Sequence, residues 1–241
     1  MFLKKFSTCL TAGLTLSALL LVLGNSGTLA WFPPPLVFSL VGISLGSAVI
    51  FPFIWQRWER HPTHNADRIY AILFTVIRYS IAFNLASFGW KKVFGLQFIV
   101  PPDLAGEPMN LQSGETLVWY FFGYSHPFGL ITALIQIIGS YFLLVRRTFL
   151  LSCLVLFTLM LNIALVDIFY HLNAGALIQA VILTLGLLFL LLTDKQKLVA
   201  LFLKSDPAIP SITYKNKWLK NAARLSALTL SLLFVYYIVK A

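Results

Sequence analysis

Seven runs of about 20 mostly apolar residues, each long enough to cross a bilayer as a helix, divide this chain into spans and short polar links. They fall at roughly 6–23, 34–55, 69–90, 128–145, 148–166, 174–193 and 222–239. Each carries apolar residues all round a helix, and none alternates with the period of two of a barrel strand. The composition is 59% hydrophobic and 11% charged, against roughly 25% charged in an ordinary soluble domain. The chain therefore cannot close as a water-soluble globule. The expected fold is an all-α polytopic helical bundle with about seven transmembrane helices, whose first partner is the lipid bilayer.

A net charge of +10 on a soluble protein would raise the question of nucleic acid. Here the charges sit between apolar runs, so no nucleic-acid partner is expected and the charges report orientation. With the N-terminus inside, the cytoplasmic side collects Lys4, Lys5, Arg57, Arg60, Arg68, Arg146, Arg147 and the basic residues from Lys195 to Arg224. Outside fall only Lys91, Lys92 and Lys240, with Arg78 left inside a span. The C-terminus is then exoplasmic. Lys4 and Lys5, the apolar stretch Leu10 to Leu23 and the small-residue site Thr28-Leu29-Ala30 also read as a cleavable signal peptide. Cleavage would change the helix count and leave the topology of the rest. Cys9 and Cys153 lie far apart in apolar stretches, which excludes a disulfide framework, a CxxC pair and a multi-cysteine metal site.

Three zones follow. Residues 1–68 hold two spans and a basic loop in which His61 and His64 sit among charges, a solvated loop rather than a metal site. The second span carries Gly42 and Gly46 in a GxxxG, with Ser39 on the same face. Such a face lets another helix approach closely, in the same chain by default or in a second copy as a homo-oligomer. Residues 69–193 hold four spans, one long exoplasmic loop and almost every polar residue at membrane depth. In residues 194–241, Lys195, Lys197 and Lys204 surround Leu198, Leu201 and Phe202 as a basic amphipathic turn suited to the inner leaflet surface, ahead of the last span.

Intramembrane polar residues are costly and need partners. Arg78 lies about nine residues into its span, roughly 14 Å deep, sharing a face with Ala82, Gly89 and Lys92. It is expected either to be a structural arginine bonded to neighbouring helices or to mark a ligand site, with Gln136 and Asn162 offering acceptors. Lys92, Gln97, Tyr124, His126, Asp167, Tyr170 and His171 gather at the exoplasmic end. Asp167 and His171, at i and i+4, would share one helix face, where a carboxylate can orient an imidazole. An acid, imidazoles, amines and phenols at one rim suit proton-coupled chemistry; an interfacial belt is the plainer reading. Haem histidines inside facing helices, a phosphate loop and HExxH are missing, and no metal is expected.

Residues 69–193 resemble the DoxX-like membrane proteins. The stretches that carry the resemblance are Arg78-Tyr79, Phe88 to Phe98 with its Lys-x-Phe-Gly, Phe122-Gly123-Tyr124-Ser125, and Gly139 leading to Val145-Arg146-Arg147-Thr148. The resemblance implies a four-helix membrane unit, found in some members as a subunit of quinone-linked sulfur oxidation or of oxidoreductase assemblies, with Arg78, Lys92 and Gln97 in its polar site. It departs at Gln136, where the family often has a Glu; a neutral amide cannot serve as a base. The functional expectation is a redox-associated protein holding a quinone or similar lipid-soluble ligand near the outer leaflet. Asp167, His171 and Lys92 would move protons while Arg78, Gln136, Asn162, Gln97 and His126 bind the ligand. Electrons would come from a membrane or exoplasmic redox partner, and the location would be the inner (cytoplasmic) membrane of a bacterium. The competing expectation is a non-catalytic scaffold of a membrane complex.

Overall fold

The computed structural model describes residues 2–24, 32–59, 66–102, 104–204 and 216–240. The helices are α1 (Phe2–Gly24), α2 (Pro34–Trp58), α3 (Ala66–Val93), α4 (Gly114–Tyr124), α5 (His126–Leu144), α6 (Phe149–Phe169), α7 (Ala174–Thr193), α8 (Lys195–Val199) and α9 (Lys217–Lys240). Among the described residues there is no strand. Among the described residues seven helices are long and apolar enough to cross a membrane, one for each apolar run in the sequence. What the hydropathy reading treats as loop contains one more helix, the 11-residue α4, too short to span. The His61/His64 pair and the Thr28-Leu29-Ala30 site lie outside the described residues.

The chain forms two compact units, Met1–Leu198 and Val199–Ala241. In the first, Ile77, Ile81 and Leu85 of α3, Leu143 of α5, Leu156 of α6 and Leu187 of α7 are all fully buried in one core. Ala12 of α1 belongs to the same core, and α1 packs on α2, α3 and α7. The second unit holds a π-turn, Ala200–Lys204, and α9, whose described side chains are exposed.

Because lipid is as apolar as leucine, helices in a membrane associate through close packing and interhelical hydrogen bonds rather than hydrophobic burial. The contacts follow that rule. Ser44 Oγ donates to Gly13 O at 3.0 Å, and a Cβ at Gly13 would run into Ala48. Gly89 sets α3 on α5, since a Cβ there would lie 2.7 Å from Ile137 Cγ1 and 3.0 Å from Ala133 O. Gly139 seats Leu156, and Ser152 Oγ donates to Gly139 O at 2.6 Å, joining α5 to α6. Gly42 and Gly46 do not make the expected intramolecular contact: no described atom lies within 4 Å of a Cβ at either. The face of α2 that meets α1 is instead Ser44, Ala48 and Pro52, a small-residue stripe at the same i, i+4 spacing.

Lys5, read from the sequence as a loop charge, is 1% exposed. Its ammonium donates to Gln56 Oε1 at 2.8 Å, pairs with Glu59 and stands 5.5 Å from the Trp55 ring centre. That cluster ties the start of α1 to the end of α2.

Candidate ligand cavity

At the end of the bundle where α3 finishes, α3 to α7 line a partly open cavity of about 710 Å³. Its construction begins with the end of α3. Leu96 N–H donates to Lys91 O (2.8 Å) and Gly95 N–H to Lys92 O (3.2 Å), with Gly95 at φ 64°, a Schellman ending in which glycine takes the left-handed position without steric cost. The reversal turns Gln97 and Phe98 into the cavity wall. Phe98 is itself left-handed, at φ 66°, an uncommon state for an aromatic residue that surrounding contacts must hold. Its ring stacks on Phe122 at 4.9 Å and 15°, Phe122 continues to Phe128 at 5.7 Å and 24°, and Phe98 O lies where a Cβ on Gly123 would come within 3.0 Å. One wall is therefore a run of nearly parallel rings.

α4 forms another wall through Leu117, Val118 and Phe121. Ser113 caps it, accepting from Thr116 N–H at 3.1 Å. Gly114 lies against the Tyr170 backbone with no room for a Cβ, and Asn173 Nδ2 donates to Glu115 Oε1 at 3.3 Å. These contacts fasten α4 to the turn between α6 and α7.

Five polar residues of the lining come from three helices and a loop. Lys92 Nζ donates to Gln136 Oε1 at 3.0 Å and stands 5.5 Å from the Phe98 ring centre. Gln136 is 2% exposed and Asp167 5%. Among the described residues no donor reaches the Asp167 carboxylate and no ion pair joins it to Lys92. Gln97 Oε1 is also buried without a partner. Asn162 lines the cavity from an exposed position on α6. The structure thus brings together Lys92, Gln97, Gln136, Asn162 and Asp167.

Three expected members are elsewhere. Arg78 does not meet Gln136 or Asn162. Its Nε and Nη2 donate to Leu143 O at 3.0 and 2.8 Å, and Cζ stands 5.1 Å from the Phe149 ring centre. The last carbonyls of a helix have no intrahelical donor and carry the negative end of its dipole, so Arg78 serves as a cap on α5. His171 does not share a helix face with Asp167, because α6 ends at Phe169. Leu172 N–H donates to Asp167 O at 3.0 Å in a second Schellman ending, with His171 at φ 56° and its side chain exposed. His126 is exposed at the start of α5 and does not line the cavity.

Glu115, together with the aromatic wall of α4, is absent from the sequence reading. The signal was there: Ser113 before Gly-Glu-Thr and an apolar run is a helix N-terminus pattern.

Apolar walls with a few convergent polar groups are the usual form of a small-molecule site, and these stand in a bundle of membrane-spanning length. The protein is thus a multi-pass helical membrane protein with a cavity between its helices. The uncharacterized protein YwoB of Bacillus subtilis (strain 168) is 32% identical to it over 126 residues, 52% of this chain and 79% of that protein, and the chain belongs to the same family. No family profile matches the chain, and no solved structure does.

Proposed function

We propose that this protein holds a lipid-soluble ligand with a flat, carbonyl-bearing head, a quinone or close analogue, in the cavity between α3 and α7, and works as a redox-associated subunit. The observation that carries the reading is the cavity itself: about 710 Å³, walled by stacked rings and aliphatic side chains, with the Lys92 ammonium held at its wall by Gln136. Lys92 donates to a ring carbonyl; Asp167 exchanges protons with the ring oxygens. Electrons enter from a partner protein. On this reading α3, α5, α6 and α7 are the four-helix unit of the DoxX-like resemblance and the protein sits in a bacterial cytoplasmic membrane; the inside-positive charge pattern supports a cytoplasmic N-terminus, with the cavity toward the outer leaflet.

Equilibrium dialysis of the detergent-purified chain against decyl-1,4-benzoquinone tests this. One molecule should bind per chain, and Lys92→Ala should weaken binding about tenfold, the worth of one charge-assisted hydrogen bond. Absence of binding to the wild type refutes the reading. A scaffold role is favoured by one observation, the open Gly42/Gly46 face of α2; it predicts loss of copurifying membrane proteins in Gly46→Leu with quinone binding absent throughout.

A further inference from the structure

We infer that the cavity is built to prefer a ring ligand in its hydroxyl-bearing form, a hydroquinone or phenol, over the dione, with Asp167 as the group that reads the hydroxyl hydrogen. The inference rests on the ligand reading above and goes further by saying which chemical form the lining selects.

The argument is an inventory of donors and acceptors. An ionised carboxylate only accepts, and a buried one needs donors. Asp167 is 5% exposed, lines the cavity and receives no hydrogen bond among the described residues. Gln97 Oε1, on the same lining, is a second buried acceptor with no partner. Other acceptors are already served: Glu115 Oε1 takes the Asn173 amide and Gln136 Oε1 takes the Lys92 ammonium. Lys92 is the cation of the lining, and it spends a donor on Gln136 without reaching Asp167 within ion-pair distance. The Asp167 carboxylate is therefore an acceptor of the lining that no described donor serves, beside hydrogens still unspent on Lys92 and on the Gln136 amide.

A dione brings only acceptors: its oxygens can take the free hydrogens of Lys92 and the Gln136 amide, but Asp167 is left without a donor. A ring hydroxyl brings the missing hydrogen, forming a charge-assisted O–H···O bond with Asp167. Its own oxygen can still accept from Lys92. Phe98, Phe122 and Phe128 supply a planar wall against which such a ring continues the stack. A bond of that kind is worth about tenfold in affinity. For a two-electron couple that preference raises the midpoint potential of the bound ligand by about 30 mV.

The test compares decyl-1,4-benzoquinone with its hydroquinone, prepared with dithionite and kept anaerobic, by equilibrium dialysis against the full chain in detergent. The hydroquinone should bind about tenfold tighter. Asp167→Asn should bring the two affinities close to equal while the protein still elutes as one species. Asp167→Glu, which keeps the carboxylate, should keep the preference. Equal or tighter binding of the quinone by the wild type, or a preference that survives Asp167→Asn, overturns the inference and leaves the ligand reading standing. Binding of neither form overturns both.

Discussion

Arg78→Ala separates stability from ligand binding. The guanidinium makes two hydrogen bonds to Leu143 O, at 3.0 and 2.8 Å, and stands 5.1 Å from the Phe149 ring centre. A hydrogen bond from a charged donor is worth about 1.5–3 kcal/mol and a partly exposed cation–π contact about 0.5–1 kcal/mol. The variant no longer has to desolvate a guanidinium, which offsets part of that loss. The net cost should be about 2–3 kcal/mol, or a fall of roughly 5–10 °C in thermal midpoint on the scale of domains of similar length. Lys92 lies about 21 Å further along α3, and Arg78 is not in the cavity wall, so decyl-benzoquinone affinity should stay within about twofold. Lys92→Ala should do the reverse, losing affinity with little change in midpoint. Thermal unfolding followed by thiol labelling of the buried Cys9 and Cys153, beside dialysis binding, reads both quantities. An Arg78→Ala protein with an unchanged midpoint and lost binding refutes the assignment of Arg78 to the end of α5.

Glycine substitutions should sort by helix face. Gly13→Leu forces a side chain into Ala48 and the Ser44 carbonyl and should cost about 1–3 kcal/mol, whereas Gly46→Leu should leave the midpoint of the isolated chain unmoved; equal losses would contradict the α1–α2 packing. His171→Gly should raise stability by about 1 kcal/mol, because glycine takes the left-handed backbone at φ 56° without strain, and should leave ligand binding intact; lost binding would return His171 to the site. An N-terminal tag should stay on the membrane-inserted protein, since Ala12 lies in the core and Lys5 is buried against α2. A mature N-terminus near residue 31 would contradict that.

The spans were legible because a bilayer demands long apolar runs, and every one of the seven windows corresponds to a helix long and apolar enough to cross. Their facing was not. Gly42-x-x-x-Gly46 and Ser44-x-x-x-Ala48 are equally good small-residue patterns on one helix, and only the packing shows that α1 uses the second. Gln136 could be picked out as a polar residue at depth, and Lys92 and Asp167 as charges at the exoplasmic ends of their spans, which are properties of the sequence alone. Arg78 could be picked out too, but its acceptor is a main-chain carbonyl that exists because α5 ends there, and no side-chain identity encodes it. His171 was misplaced for a related reason: i, i+4 spacing means one face only while the helix continues, and α6 stops two residues short. α4 was hidden by its length, since the hydropathy window that finds spans passes over an 11-residue helix.

The most direct test of the central claim is an organic extract of the chain purified gently from membranes of its own cell, analysed by mass spectrometry beside Ala176→Phe, which puts a ring into the cavity lining. The account predicts close to one quinone-class molecule per chain in the wild type and almost none in the variant, with both proteins folded. A wild type that yields no such molecule, or a filled variant that retains it in full, would contradict the claim that this cavity is a ligand site.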